Sequence, residues 1–490
     1  MGRGRAPAGR LSMTATLFEP PRVSAPSESR SGTATALILA GLLLTLLLAA
    51  LDSTIVATAM PRIVGELGGF DRYTWIVTAY LLTSTVAVPI VGKLADQYGR
   101  RPFLLGGTLF FLATSLLCSL AGSLNQLVAF RALQGVGGGV ITAAVFAAVP
   151  TLFSPAARAR IVGLFTGTYG LASIVGPLLG GVITDSVGWR GIFALNVPIG
   201  LVGMVILVVR YPRPGSNPVR PVIDYLGAVC LVAGITPLFL TLSLGGHGLA
   251  WDSPVLLALA VVSAAVLATF VWVERRAAQP IVPLGLLGSR GVGIPSLGMA
   301  CMAAGLFATS LFTPLFLQGV AGQSATRSGS VLAPMMLAWV LASVVVGQLI
   351  ARVGRVRRTA VAGMAVAACG LWLMAGMGPQ TEYPVIARNL IIIGLGLGAA
   401  LSSFAVAAQN AVPTNQTGVA TALGTLARSM GGTVASAGLG SLLAAQLGTT
   451  PVEPAVLAEA LRATFLAAVT IVTLGMLATL WLRDLPLGAR

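Results

Sequence analysis

The chain is short of charge. Of its 490 residues, 9% are Asp, Glu, Lys or Arg, where a soluble domain carries about 25%. There is one lysine, Lys93, and one histidine, His247. A lone histidine has no neighbours with which to share a metal, so no metal site is expected. The four cysteines, Cys118, Cys230, Cys301 and Cys369, are far apart and each lies in an apolar run. That spacing speaks against a metal cluster and against a disulfide framework. The four read as small buried hydrophobes. No Gly-rich loop closing on Gly-Lys-Ser/Thr is present, which removes the usual ATP site. Catalytic clusters are equally missing. No enzyme and no cofactor are expected.

What fills the space is hydrocarbon: 56% of the residues are hydrophobic. No soluble fold of this length could bury so much apolar surface, so the chain reads as an all-α polytopic membrane protein. Its apolar stretches run for about 20 residues without alternation, which favours helices over barrel strands. The runs fall at 34–59, 73–92, 102–122, 125–149, 160–183, 190–210, 222–244, 253–273, 293–317, 328–350, 359–378, 385–408, 417–444 and 461–482. That is fourteen transmembrane helices.

The net charge of +16 would suggest nucleic acid on a soluble protein. Here the basic residues sit in the short connections. With the N-terminus placed inside, 22 fall on the cytoplasmic side and 6 on the other, leaving Arg131 and Arg428 within helices. This asymmetry predicts a multi-pass protein of a bacterial cytoplasmic (inner) membrane with both termini cytoplasmic, and no nucleic-acid partner. Residues 1–32 are polar and Pro/Ser-rich and read as a disordered cytoplasmic tail. Residues 485–490 form a second tail.

The chain repeats itself. Ala148-Val149-Pro150-Thr151 returns as Ala411-Val412-Pro413-Thr414, 263 residues on. Gly92-Lys93-Leu94 with Gly99-Arg100-Arg101 returns in weaker form as Gly347-Gln348-Leu349 with Gly354-Arg355, 255 residues on. Residues 33–212 and 291–484 therefore read as two copies of one six-helix bundle. Residues 213–290 carry two inserted helices and their linkers. Paired bundles that rock about a central site are the physical basis of alternating access.

Several short stretches stand out. Between the second and third runs, Gly92 would allow close helix approach and Gly99 a tight turn, while Asp96 can pair with Arg100 or cap the next helix. Gly92, Asp96, Gly99, Arg100 and Arg101 read as a conformational latch. In the fourth run, Arg131 is a buried cation in need of a partner, and Gly135, Gly137 and Gly139 let neighbouring backbones approach. In the fifth run, Gly176-Pro177 interrupts a helix hydrogen bond, and with Gly180 and Gly181 it reads as a hinge or a tight seal.

Leu51-Asp52-Ser53-Thr54-Ile55-Val56 places a carboxylate deep in an apolar run, which costs about 2.5–3.5 kcal/mol unless paired or wetted. At about 1.5 Å per residue, Asp52 and Arg131 lie some ~11 and ~9 Å from the outer ends of their runs and could meet. Arg428, near mid-membrane, is a second candidate charge partner. Gln134, Thr166, Thr168 and Tyr169 are possible cavity residues. Phe165, Phe312, Met335, Met336 and Phe404 are candidates for a greasy substrate surface.

Together these stretches resemble the major facilitator superfamily, in its fourteen-helix drug:proton antiporter branch. The resemblance rests on Gly92-Lys93-Leu94-Ala95-Asp96-Gln97-Tyr98-Gly99-Arg100-Arg101, on Arg131-Ala132-Leu133-Gln134-Gly135, and on Gly176-Pro177-Leu178-Leu179-Gly180-Gly181. The Asp52 stretch and Trp189-Arg190-Gly191-Ile192-Phe193 with Asn196-Val197-Pro198-Ile199-Gly200 add to it. The resemblance implies a role in proton coupling for Arg131 and antiport rather than symport from the Gly176-Pro177 motif. The expected function is proton-driven export of small hydrophobic or amphipathic compounds such as drugs or antibiotics, with Asp52 and Arg131 coupling the proton. Burial favours a neutral carboxyl and a nearby Arg a charged one, and conformation would tip that balance. Its partners would be substrate, protons and the lipid bilayer, its state monomeric, its energy source the proton gradient, and its role antibiotic resistance. The alternatives are a narrow exporter of a lipid or a self-made antibiotic, and a non-transporting membrane receptor on the same scaffold. The scarcity of membrane carboxylates points the cargo towards neutral, zwitterionic or lipophilic molecules.

Overall fold

Inside hydrocarbon each segment must satisfy its own backbone N–H and C=O groups, and a helix does so without a partner. The computed structural model describes residues 32–153, 155–212, 225–245, 249–277, 282, 284–413, 416–447, 453–482 and 484. Among them no strand forms beyond an isolated bridge between Gly245 and Leu249. The tails expected at 1–32 and 485–490 fall almost wholly outside the described residues, as does His247.

Among the described residues, fourteen long helices occupy the fourteen expected places. They are α1 (Gly32–Leu67), α2 (Trp75–Tyr98), α3 (Arg100–Ser119), α4 (Leu124–Leu152), α5 (Pro155–Ser186), α6 (Asn196–Arg210) and α7 (Tyr225–Leu244). Then follow α8 (Pro254–Glu274), α9 (Arg290–Leu315), α10 (Ala325–Val353), α11 (Val356–Ala375), α12 (Tyr383–Asn410), α13 (Thr417–Leu447) and α14 (Pro454–Thr479). By length and composition alone, 12 spans among the described residues are long and apolar enough to cross a membrane. The two exceptions are α7, whose apolar part is the shorter Leu226–Leu242, and α13, which carries Arg428 among many Gly, Ser and Thr.

Two boundaries differ from the sequence reading. The first helix runs on past 59, through Pro61, to Leu67. Its polar end is held by an Arg62–Glu66 pair one turn apart at 3.2 Å, which hydropathy cannot register. The sixth run is divided: a short helix, Arg190–Ala194, precedes α6.

The packing repeats as the motifs do. In the first half α2 and α3 pack on α4, and α1 packs on α5 and α6. In the second half α10 and α11 pack on α12, and α9 packs on α13 and α14. Helices α7 and α8 pair with each other, and α7 leans on α2 and α13.

The halves meet near one face of the bundle, the face where α1 ends and α10 begins. There Tyr73 donates to the Leu311 carbonyl at 3.0 Å, Gln318 to the Thr58 carbonyl at 2.9 Å, and Thr78 to Ser436 at 3.1 Å. Asp185, at the end of α5, accepts from the backbone N–H of Thr326 at 2.8 Å and of Ala325 at 3.3 Å. It thereby caps α10 across the divide, where a helix N-terminus favours a negative group. The opposite face carries most of the arginines.

The α5 motif makes this meeting possible. On one side a Cβ at Gly176 or Gly180 would collide with Thr54 and Ile55 of α1. On the other, a Cβ at Gly181 would collide with Ala325, and one at Gly329 of α10 with the Pro177 carbonyl. In this conformation the stretch is a seam between α1 and α10, in a helix that stays continuous through Pro177.

Candidate functional site

A carboxylate in a bundle interior needs donors, and two helices supply three of them. Asp52 is wholly buried. Its Oδ2 accepts from Arg131 Nη1 at 2.6 Å. Its Oδ1 accepts from Gln134 Nε2 at 3.1 Å and Asn196 Nδ2 at 2.8 Å. Arg131 and Gln134 stand three residues apart on α4 and so share a face. Arg131 also donates to Gln134 Oε1 at 2.7 Å and, through Nε, to the Ile76 carbonyl of α2 at 3.2 Å. Its guanidinium lies 4.3 Å over the Tyr80 ring and 5.7 Å from that of Phe193. Asn196 opens α6 and donates also to Ser115 of α3 at 2.9 Å. Ser115 in turn donates to the Phe193 carbonyl at 2.9 Å. Asp52 thus ties α1 to α4 and α6, with α2 and α3 held through its partners.

The glycines of α4 let this happen at close range. A Cβ at Gly137 would lie 2.9 Å from the backbone of Phe111 on α3, and one at Gly135 would strike Tyr80 and Thr83 of α2. The neighbouring Thr54 side chain reaches the Ala172 carbonyl of α5 at 3.0 Å. One turn of α1 therefore carries both the buried charge and a bond to the seam.

The guanidinium donates from both Nε and Nη1, to three acceptors in different directions, a geometry that a lysine could not reproduce. Arg131→Lys is expected to destabilise the folded protein by about 1–3 kcal/mol through unmet donors and acceptors. Thermal unfolding in detergent measures this, and an unchanged midpoint would show that the fork geometry is not used.

The other expected residues are distributed differently. Arg428 does not reach Asp52. It is half-buried on α13. Gln134 is fully buried inside the Asp52 network and lines no cavity. Thr168 is spent on the Leu164 carbonyl at 3.0 Å. Tyr169 is half-buried, its hydroxyl 3.2 Å from that of Thr142. The side chains of Thr166 and Asp96 lie outside the described part of the structure. Phe165, Phe312, Met335, Met336 and Phe404 are all core residues, at most 4% exposed, because their helix faces turn towards neighbouring helices. They form no open substrate surface.

At the α2–α3 junction Gly99 has φ +88°, a conformation only glycine adopts readily. Arg101 donates to the Val208 carbonyl at the end of α6 at 2.9 Å, and Arg100 is engaged as well. Gly92 faces open space, so the close helix approach expected there is not made in this conformation.

Asn196, Ser115 and Tyr80 were missed from the sequence as members of the site. The available signal was Asn196, a polar residue in the otherwise apolar stretch after Trp189.

Comparison with known proteins places this geometry. Residues 42–436 match the family model described as Major Facilitator Superfamily. The Multidrug transporter protein MdtP of Bacillus subtilis (strain 168) is 38% identical over 414 residues, covering 84% of this chain and 76% of the relative. Multidrug resistance protein 3 of the same strain is 36% identical over 401 residues, covering 82% and 78%. The crystal structure of a bacterial homolog to the human lysosomal transporter Spinster matches with a TM-score of 0.70 at 16% identity, covering 94% of this chain and all of that one. At that identity the match shows the fold alone. The chain belongs to the Major Facilitator Superfamily and is a multi-pass membrane transporter protein, with multidrug transporters among its relatives.

Proposed function

We propose that this protein is a proton-driven exporter of small hydrophobic or amphipathic compounds, acting by alternating access in a bacterial cytoplasmic membrane. The single observation that carries the reading is the buried Asp52, held by Arg131, Gln134 and Asn196 one turn from the α1–α5 seam. A carboxylate at this depth is expensive unless it is used. When Asp52 is charged, its pairing with Arg131 draws α1 and α4 together. When it takes a proton, the attraction weakens and the network can rearrange. Asn196 Oδ1 is a buried acceptor to which no described residue donates. It could take the carboxyl proton's hydrogen bond if the amide turned. Protonation would then bias the same helix that carries the closing contacts of α5, which is how one binding event moves a two-state equilibrium.

The arginine-rich face is the cytoplasmic one by charge asymmetry. In that orientation the named contacts between the halves close the external side, the arrangement in which an exporter receives cargo from the cytoplasm. The names of the relatives support drug-like cargo, and resistance to antibiotics as the role. The proton gradient is the energy source. The coupling network lies within one chain, and we take the monomer to be the working unit.

Proteoliposomes loaded with a fluorescent pH reporter test this. An imposed pH gradient should drive uptake of a fluorescent amphipathic drug into vesicles of inside-out orientation, and drug addition should release protons measurably. Uptake that continued at full rate after nigericin collapsed the gradient would sink the proposal.

A further inference from the structure

The two copies of the loop motif are not equal. The first carries Asp96 three residues before Gly99, and the second carries Ala351 three residues before Gly354. The second turn therefore lacks negative charge where it is most needed. Arg352, Arg355, Arg357 and Arg358 fall within seven residues around the start of α11, and all four are exposed. The N-terminus of a helix is its positive end and leaves N–H groups without partners, so a run of cations there is unfavourable. The residue at the N-cap of α11 is Arg355, and its side chain makes no capping bond.

The acid comes from elsewhere in the chain. Asp484 follows the end of α14, and its Oδ1 accepts from the backbone N–H of Arg357 at 2.7 Å, across 127 residues of sequence. Its Oδ2 stands 3.9 Å from Arg357 Nε, with both side chains partly exposed, so that ion pair adds little. The bond to the helix end matters more, and an apolar anchor two residues earlier holds it in place. Leu482 is 2% exposed. It lies in one cluster with Ile350 of α10, Val356 of α11 and Ala407 of α12, and Ile294 of α9 packs against that cluster. Trp481, just before it, stays exposed, so the chain turns inward only at Leu482. Since α14 itself packs on α9 and α11, the residues after it close over the ends of the helices beside it.

We propose that Leu482 and Asp484 form a strap that supplies the second bundle with the acid its copy of the loop motif lacks, and that fixes the α10–α11 turn to the end of α14 as one rigid block. The two halves then differ at their arginine-rich face. In the first copy the acid belongs to the loop itself. In the second it is delivered from outside the loop and tied down by a buried leucine, so the turn moves with α14. The strap makes the second half the fixed body against which the first half rocks.

Hydrogen exchange of the whole chain in nanodiscs, read by mass spectrometry on peptides spanning residues 355–360, tests it. Asp484→Ala should speed exchange in the first turn of α11 about fivefold or more, the ratio that a lost cap gives. Asp484→Asn keeps an acceptor oxygen but not the charge and should fall between. Leu482→Ala should exchange as fast as Asp484→Ala although it leaves the carboxylate in the chain. Adding Ala351→Asp to Asp484→Ala should slow exchange again, because it puts an acid where the first copy of the motif has one. Unchanged exchange in Asp484→Ala or in Leu482→Ala would overturn the strap. Failure of Ala351→Asp to restore protection would overturn its role as the motif's missing acid. Uptake of a fluorescent amphipathic drug should fall several-fold in Asp484→Ala and recover with Ala351→Asp, and uptake at the wild-type rate in a fast-exchanging variant would overturn the rigid block. If the wild type itself takes up no drug, the export reading fails and the exchange rates still decide the strap.

Discussion

Asp52→Asn is expected to lower gradient-driven transport roughly a hundredfold or more, about 2.7 kcal/mol of coupling, while leaving a protein that still inserts and binds substrate. Asparagine has the shape of aspartate, but its one carbonyl oxygen can accept either from Arg131 or from Gln134 and Asn196, not from both sides, and it cannot take up or release a proton in the working range. It also leaves Arg131 buried without an anion, and breaking a buried pair from one side costs about 3–5 kcal/mol. Stability should therefore fall too. A double variant, Asp52→Asn with Arg131→Gln, separates the effects: it removes the orphan cation and should recover thermal stability without recovering coupling. The measurement is pH-gradient-driven uptake beside energy-independent substrate exchange in the same vesicles. Full gradient-driven uptake by Asp52→Asn would show that the proton travels elsewhere.

The second large effect is steric. In Gly329→Val the new side chain would occupy the place of the Pro177 carbonyl, and a backbone oxygen in the middle of α5 cannot swing aside as a side chain could. The outer ends of α5 and α10 must then separate. That strains packing by about 1–3 kcal/mol, and it pulls Asp185 from the N–H groups of Ala325 and Thr326, a cap of about 0.5–2 kcal/mol. The sum can invert a modestly biased two-state equilibrium. Spin labels on the outer ends of the two helices should report a longer distance in Gly329→Val, an intermediate one in Gly329→Ala, and transport should fall in the same order. Wild-type distances together with wild-type transport in Gly329→Val would show that the seam yields without consequence.

These two sites differ in how far the sequence exposes them. Asp52 is conspicuous because a charge in an apolar run is costly wherever the chain goes, and Arg131 for the same reason. Gly329 is inconspicuous: its neighbours are ordinary, and its importance comes from a carbonyl about 150 residues earlier in the chain. Asn196 falls between, a polar residue among apolar ones whose partner could not be named before the helices were placed. Gln134 shows the reverse error. It looked like a cavity residue because it is polar, whereas the fold uses it to fill the second oxygen of Asp52 and the guanidinium of Arg131. Phe165, Phe312 and Phe404 looked like a substrate surface because they are aromatic, and the fold spends them on packing.

The sequence alone determined the solvent, the helices and their number. Apolar runs of this length leave the backbone no alternative to hydrogen-bonding within itself, and that constraint is local. It also determined the duplication, because the motifs recur along the chain. Tertiary structure decided the pairings. Whether Arg131 or Arg428 answers Asp52 depends on which helix faces α1 and at what height, and no local propensity encodes that. The bundle gives Arg131 to Asp52 and leaves Arg428 apart from it, because α4 packs within the same half as α1 whereas α13 stands in the other half, packed on α9.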